Sequence, residues 1–149
     1  MLNELIAAIY AILTGDAVLL ASGINPANGN PRTVTIVGEG KQSDPRPFVR
    51  VTLTDSALLE PDAEPHDFTT QPTAERVMLL VNVFSDHEPE VRKIVSRITI
   101  LLRHRQLITA THNGWTWLDS TNYYSDNISF PDQIVRAAAI RVRCTMEPT

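Results

Sequence analysis

Residues 75–104 read ERVMLLVNVFSDHEPEVRKIVSRITILLRH, and this stretch decides the fold. Val77 to Phe84 is apolar on both alternating faces apart from Asn82, which predicts a strand in the middle of a sheet with cover on both sides. Ser85-Asp86 then predicts a helix cap. The helix that follows carries its apolar residues at helical spacing, at Val91, Ile94, Val95, Ile98, Leu101 and Leu102. The unit is a packing signature, with no catalytic residue in it.

The N-terminal half predicts a helix and two further strands. Residues 2–14 have apolar side chains at helical spacing, Gly15 favours a stop, and Asp16 predicts the cap of a short turn over 17–21. Thr33–Val37 and Phe48–Thr54 alternate and predict strands. The polar segment Asp55–Thr73 contains three prolines and five acids, which predicts either a mobile surface loop or an arm that orders against a neighbouring subunit.

The C-terminal part predicts more β structure. Asn113-Gly114 is a tight-turn signal, so a hairpin is expected with its turn there. Asn122–Pro131 is interpreted as a strand end and loop. Gln133–Met146 predicts a long strand with Arg141 and Arg143 on its polar face, which is interpreted as a solvated edge or an interface seam. Trp115 and Trp117 lie two residues apart and therefore on one face. This placement favours a role in covering the core or an interface over a role in stacking on a ligand.

These elements predict an α+β fold with one mixed or antiparallel β-sheet packed by two main α-helices, with long loops and a β-hairpin. The length of 149 residues suits a single domain over residues 1–149. The net charge of −4 gives no global attraction to nucleic acid or an anionic membrane. No apolar run reaches the roughly 18 residues that span a bilayer, and the start lacks a basic signal region. The chain is therefore expected to be cytoplasmic at synthesis and not membrane-bound.

The search for reactive residues predicts no catalytic residue, no cofactor site and no metal site. The four histidines do not form a metal-binding pattern, and the acids at 86–90 are explained by the helix dipole. A nucleophile elbow is absent. Cys144, the single cysteine, lies mid-strand on an apolar face, as an inert buried thiol does.

The order of elements resembles the tail-terminator family of long-tailed bacteriophages, also called tail-completion or minor tail proteins. The resemblance rests on a helix closing at Leu13-Thr14-Gly15-Asp16 and on the strand start Pro47-Phe48-Val49-Arg50-Val51. It also rests on Val81–Asp86 running into the helix described above, and on a last β segment with Arg136-Ala137-Ala138 and Ile140-Arg141-Val142. The order of secondary-structure elements is similar over most of the chain.

The resemblance implies a structural role in the virion and no enzymatic reaction. Members form a ring, usually a hexamer, on the head-proximal end of the tail tube, after assembly in the host cytoplasm. The implied partners are further copies of the chain, the major tail tube protein, head connector or neck proteins, and DNA that passes through the lumen without specific binding. A ring needs heterologous contacts. Arg141 and Arg143 facing Asp62, Glu64 and Asp67 of a neighbour are the candidate subunit interface.

Three alternatives stay open at this point, and the least specific of them is an enzyme of unrecognised type. Another is a head–tail joining (neck) protein, which differs in the face that docks on the portal side. The third is a small ligand-binding α+β domain with Trp115, Trp117, Tyr123 and Tyr124 around a pocket.

Overall fold

The computed structural model describes residues 2–34, 46–58, 74–126 and 134–149. Its helices and strands are α1 (Leu2–Thr14), α2 (Ala17–Ala21), a 3-10 turn (Pro26–Asn28), β1 (Arg32–Val34), β2 (Phe48–Leu58), β3 (Glu75–Ser85), α3 (Glu88–Leu102), β4 (Gln106–Ile108), β5 (His112–Asp126) and β6 (Val135–Pro148). The predicted strand Thr33–Val37 is therefore observed as Arg32–Val34, and residues 35–37 lie outside the described ranges.

The strands form one sheet in the order β1-β2-β3-β6-β5-β4. β1 runs parallel to β2, and all other neighbours are antiparallel. The fold class is α+β with a mixed sheet, as predicted. β3 lies in the interior of the sheet between β2 and β6, which confirms the position inferred from its apolar faces.

The main core lies between one face of the sheet and the helices. Alternate residues of β3 and β6 supply the sheet side, because side chains on a strand point to opposite faces in turn. α1 and α3 supply the other side with their apolar stripes. The fully buried members include Leu5, Ile9, Leu13, Leu79, Val81, Ile94, Ile98, Leu102, Ile140 and Cys144.

A second, smaller cluster lies on the opposite face of the sheet. It consists of Phe48, Phe84, Val135 and Ala137, each no more than 2% exposed. The rings of Phe48 and Phe84 are 6.3 Å apart between centroids. Phe84 follows Val83 of the main core, so the end of β3 is buried on both faces.

Side-chain hydrogen bonds of Asp16 and Ser85 determine where α2 and α3 begin. Asp16 caps α2, since its Oδ2 accepts a hydrogen bond from the Leu19 amide at 3.0 Å. At α3 the predicted Ser85-Asp86 cap is displaced: the N-cap residue is His87, which has no capping side chain. Ser85 holds this entry instead. Its Oγ accepts from the His87 amide at 3.1 Å and donates to Glu90 Oε1 at 2.5 Å.

The predicted turn at Asn113-Gly114 is wrong, although the hairpin exists. Both residues lie inside β5, where Asn113 pairs with Ile108 and Gly114 with Leu107, and the connection is residues 109–111. The glycine serves close packing instead of a turn. A Cβ at Gly114 would overlap the Thr145 carbonyl oxygen and come within 2.9 Å of Met146 Cα.

Two strand predictions also need correction. β2 continues to Leu58, so the start of the segment expected to be a loop is strand. The strand end expected in Asn122–Pro131 is observed, since β5 continues to Asp126, and residues 127–131 lie outside the described ranges. β6 begins at Val135 and lies between β3 and β5, so it is not an edge strand as one interpretation had it. Arg141 and Arg143 therefore lie on a strand that has a neighbouring strand on each side.

Candidate interaction surface

The sheet presents a polar and aromatic surface on the side opposite the helices, which we call the arginine face. Residues on this side alternate with the core residues, and they include Arg50 of β2, Arg141 and Arg143 of β6, and Trp115 and Trp117 of β5. The register confirms that they share a side: Trp115 is opposite Thr145, and Trp117 is opposite Arg143. The prediction that the two tryptophans share one face is confirmed.

Arg143 lies at the centre of a small cluster. Its guanidinium carbon is 6.0 Å from the Trp117 ring centroid, and its Nε is 3.7 Å from Asp119 Oδ1. At that distance the ion pair has no hydrogen bond, and Arg143 Nε has no hydrogen-bond partner. Asp119 reaches this position because a bulge between Leu118 and Ser120 leaves it without an opposite residue in β6. The sequence carries no clear signal for such a bulge.

His104 contacts the same tryptophan. Its ring meets the Trp117 ring edge-on, with centroids 4.4 Å apart and an interplanar angle of 87°. Aromatic pairs in this arrangement contribute about 0.5–1.5 kcal/mol beyond the area they bury. Trp117 therefore contacts both His104 and Arg143 while 40% of it remains exposed.

Arg141 is exposed and lies opposite Leu80 of β3 and Ser120 of β5. Within the described ranges it forms no ion pair. Its proposed partners Asp62, Glu64 and Asp67 fall in residues 59–73, outside the described residues. The structure thus places the two arginines of the candidate interface on one face and leaves their pairing with those acids as a prediction.

The two tryptophans border a shallow depression on this face. It has a volume of about 440 Å³ and is also lined by Asn113, Thr145 and Glu147. The alternative of one pocket with four aromatic residues is wrong. Tyr123 is opposite Ala138 of the core face and its ring lies 4.5 Å from the Arg92 guanidinium of α3. Tyr124 is on the arginine face but donates to Asn82 Oδ1 at 3.1 Å near the other end of β5.

Arg50 is a buried cation that sequence reasoning did not select. It is 4% exposed, and its guanidinium lies 5.0 Å from the Phe84 ring centroid. Nε and Nη1 have no hydrogen-bond partner. The available signal was an arginine placed between Val49 and Val51 in an alternating strand.

Reactive groups in the described ranges do not converge. No three residues among the histidines, cysteine, aspartates and glutamates of those ranges come together as metal ligands. Burial raises the pKa of the Cys144 thiol to about 12. Among the described helices, none has the length and apolar character to span a membrane. The surface is suited to contact, through charge and aromatic area.

Comparison with known proteins gives a likeness of fold. No protein-family model matches the chain, and no curated protein matches it. Among solved structures, a chain from the virion of a native gene transfer agent particle has a similar fold, with a TM-score of 0.64. The alignment covers 98% of this chain and 96% of that chain at 17% sequence identity. At this identity the likeness establishes a shared fold along nearly the whole length of both chains.

Proposed function

We propose that this chain is a structural protein of a phage-like virion. In this proposal the chain acts as one domain over residues 1–149 and forms a ring, a hexamer as in the tail-terminator family, on the head-proximal end of the tail tube. The ring ends tube polymerisation and provides the docking surface for the head. The role is mechanical, and no bond is made or broken.

The observation that carries the proposal is the match to the chain of the gene transfer agent virion. The match is nearly complete in both directions, so the two chains share a whole architecture and not a common motif. The element order of this chain separately resembles tail terminators.

The described surfaces are consistent with a protein that works by contact. The helices cover one face of the sheet, and the arginine face leaves Trp115 48% exposed and Trp117 40% exposed. Aromatic residues and arginine are enriched where proteins bind one another. The described residues also lack a convergent cluster of metal-ligating groups.

The proposed subunit contact pairs Arg141 and Arg143 of one copy with Asp62, Glu64 and Asp67 of the next. A ring requires that two different patches meet, and a basic patch facing an acidic segment is such a pair. Arg141 is exposed without an ion-pair partner in the described ranges, and the ion pair of Arg143 there is the long contact to Asp119. Neither cation has a carboxylate at hydrogen-bond distance within those ranges.

The further partners follow from the position of the ring. The tube side meets the major tail tube protein, and the opposite side meets the head connector or neck proteins. DNA passes through the lumen, where strong phosphate binding would hinder sliding; the net charge of −4 is compatible with weak contact. Assembly takes place in the host cytoplasm, and the finished protein resides in the virion.

The test is a tube-capping assay. The purified chain is added to polymerising tail tube protein from the same particle, and tube lengths and ends are measured by negative-stain electron microscopy. We expect shorter tubes with a ring of added density at one end. Unchanged tube lengths and bare ends would overturn the proposal. If the chain binds the purified head connector but does not cap tubes, the result would favour the neck-protein alternative.

A further inference from the structure

The outer side of β5 is longer than the strand that covers it. β4 pairs with β5 only at Asn113–Trp115, and the Thr116 amide then donates to the Arg105 carbonyl at 2.9 Å. From residue 117 to residue 126, no strand of the described ranges pairs with this side. The inner side is paired with β6 to the end, where Asp126 lies opposite Val135. The outward-facing backbone of the second half of β5 therefore has no partner strand within the described ranges.

This edge lacks most of the features that keep sheet edges from pairing. Edge strands are usually protected by lysine, proline, charges or bulges. The bulge between Leu118 and Ser120 disturbs only the beginning of the segment. Residues 120–126, STNYYSD, continue in regular register and contain no lysine, arginine or proline. Residues 120–125 are all exposed.

We propose that the outer side of β5 over residues 117–126 receives β1 of a second copy, so that the sheets of neighbouring copies join edge to edge. This inference rests on the ring of the proposed function and names the backbone contact that would build it. Strand addition of this kind obtains its affinity from main-chain hydrogen bonds and its specificity from alternate side chains.

Strand directions favour β1 as the added strand. β1 and β2 run in one direction with β6, while β3 and β5 run in the other. When copies are related by rotation about an axis along the strands, every copy keeps these directions. The β1 of a neighbour then runs antiparallel to β5, which is the more stable pairing. β1 pairs only with β2 among the described strands, so its outer side is the opposite edge of the same sheet.

Charge favours the same partner over a two-fold pairing of β5 with itself. Residues 117–126 contain two acids, Asp119 and Asp126, and no base, whereas β1 contains Arg32 and no acid. A β5–β1 contact brings opposite charges together. A β5–β5 contact brings together two strands that carry only acids, and like charges across a strand pair are destabilising.

Disulfide cross-linking tests the contact in the full chain. Asn122→Cys is mixed with Arg32→Cys, Thr33→Cys or Val34→Cys in separate reactions, with and without tail tubes, and oxidised products are resolved on non-reducing gels. Three positions in β1 are used because neighbouring residues point to opposite faces. The native Cys144 is fully buried. Ser96→Cys, on the exposed side of α3, is the matched control.

We expect a heterodimer of Asn122→Cys with at least one β1 variant, at several times the yield of the Ser96→Cys control. Asn122→Lys, which adds a protecting charge to the edge, should abolish self-association while leaving the thermal unfolding midpoint unchanged. Predominant Asn122→Cys homodimers would overturn the inference. So would the absence of a heterodimer both with and without tail tubes. Heterodimers without tube capping would uphold it and refute the proposed function instead.

Discussion

Asp16 and Arg97 join α2 to α3 through two hydrogen bonds, although they are 81 residues apart in the chain. Arg97 Nε donates to Asp16 Oδ2 at 2.9 Å, and Nη2 donates to Oδ1 at 2.6 Å. The same carboxylate caps α2, and its side chain is only 8% exposed. One residue therefore sets both where a helix begins and how two helices meet.

Replacing Asp16 should destabilise the fold. We expect Asp16→Ala to lower the free energy of unfolding by about 2–3 kcal/mol, since it removes a helix cap and a charge-assisted pair. Asp16→Asn keeps a capping oxygen and should cost less. Urea unfolding measures both variants. Glu88→Gln, which alters the exposed pair with Arg92, is the control and should change stability by less than about 0.5 kcal/mol.

The same pair predicts a dependence on pH. The Arg97 guanidinium, opposed by burial, holds the pKa of the Asp16 carboxyl below its ordinary value of 3.8. A lowered pKa in the folded state means that the pair contributes fully above pH 3.8. The contribution is lost as the pH falls through the folded-state pKa. The stability difference between the wild-type protein and Asp16→Asn should therefore shrink below pH 3.8, and a constant difference would contradict this assignment.

Gly114→Ala should distort the β5–β6 pairing. The added Cβ meets backbone atoms of Thr145 and Met146, which cannot move aside as a flexible side chain can. We expect a loss of about 1–3 kcal/mol in the free energy of unfolding, measured by thermal or denaturant melts. Asn113→Ala, next to it and exposed, is the matched control. Equal stability of the two variants would show that the strands can separate without cost.

Arg50→Met should leave stability unchanged or raise it. The buried guanidinium has two donor nitrogens without a partner, and an unsatisfied buried polar group costs about 1–3 kcal/mol. Methionine keeps an unbranched chain against the Phe84 ring. Arg50→Lys keeps a charge but loses the planar stacking, and it should destabilise. Chemical unfolding of the three proteins tests this order; a large loss in Arg50→Met would indicate that Arg50 has an acceptor in the folded protein.

Cys144 should be unreactive until the protein unfolds. Its pKa is raised by burial from an ordinary 9.0 to about 12, so no thiolate is present in the native state near neutral pH. The contribution of this neutral thiol to stability is complete below pH 9 and is lost as the pH rises toward 12. Thiol titration at pH 8 should give no fast phase in native buffer and one equivalent in denaturant. A fast native reaction would place the sulfur in contact with solvent.

Charge reversal at the candidate subunit interface should weaken ring formation. We expect Arg141→Glu with Arg143→Glu to lower ring yield in size-exclusion runs, since the acids of the neighbour would be repelled. Arg105→Glu, an exposed arginine outside the arginine face, is the control. Compensating changes Asp62→Lys and Glu64→Lys should restore the ring. An unchanged elution profile of the double variant would count against this contact.

The features that follow from local pattern were predictable. The β3–α3 unit is determined by apolar periodicity and the Asp16 cap by a side chain acting three residues away, so both can be inferred without knowledge of distant partners. The fold class followed from the order of such elements. In the candidate surface, the shared face of Trp115 and Trp117 followed from the two-residue period of a strand.

The features that depend on a distant partner were not predictable. Gly114 has the local signal of a turn, but the backbone of Thr145 determines that it lies within a strand. Asp119 reaches Arg143 only because of a bulge between two strands, and Arg50 is buried by what lies across the sheet. The position of β6 within the sheet was not predicted for the same reason, since an edge strand would also have a polar face.

The sheet order has a consequence for biosynthesis. Among the described strands, β6 alone lies between β3 and β5 in the sheet, yet it is translated after both of them. Until it leaves the ribosome, β3 lacks a neighbour on one side, and its apolar residues stay open to wrong partners. The nascent chain should therefore need protection by a chaperone during this interval, and premature stop codons before β6 should yield insoluble fragments instead of a partly working protein.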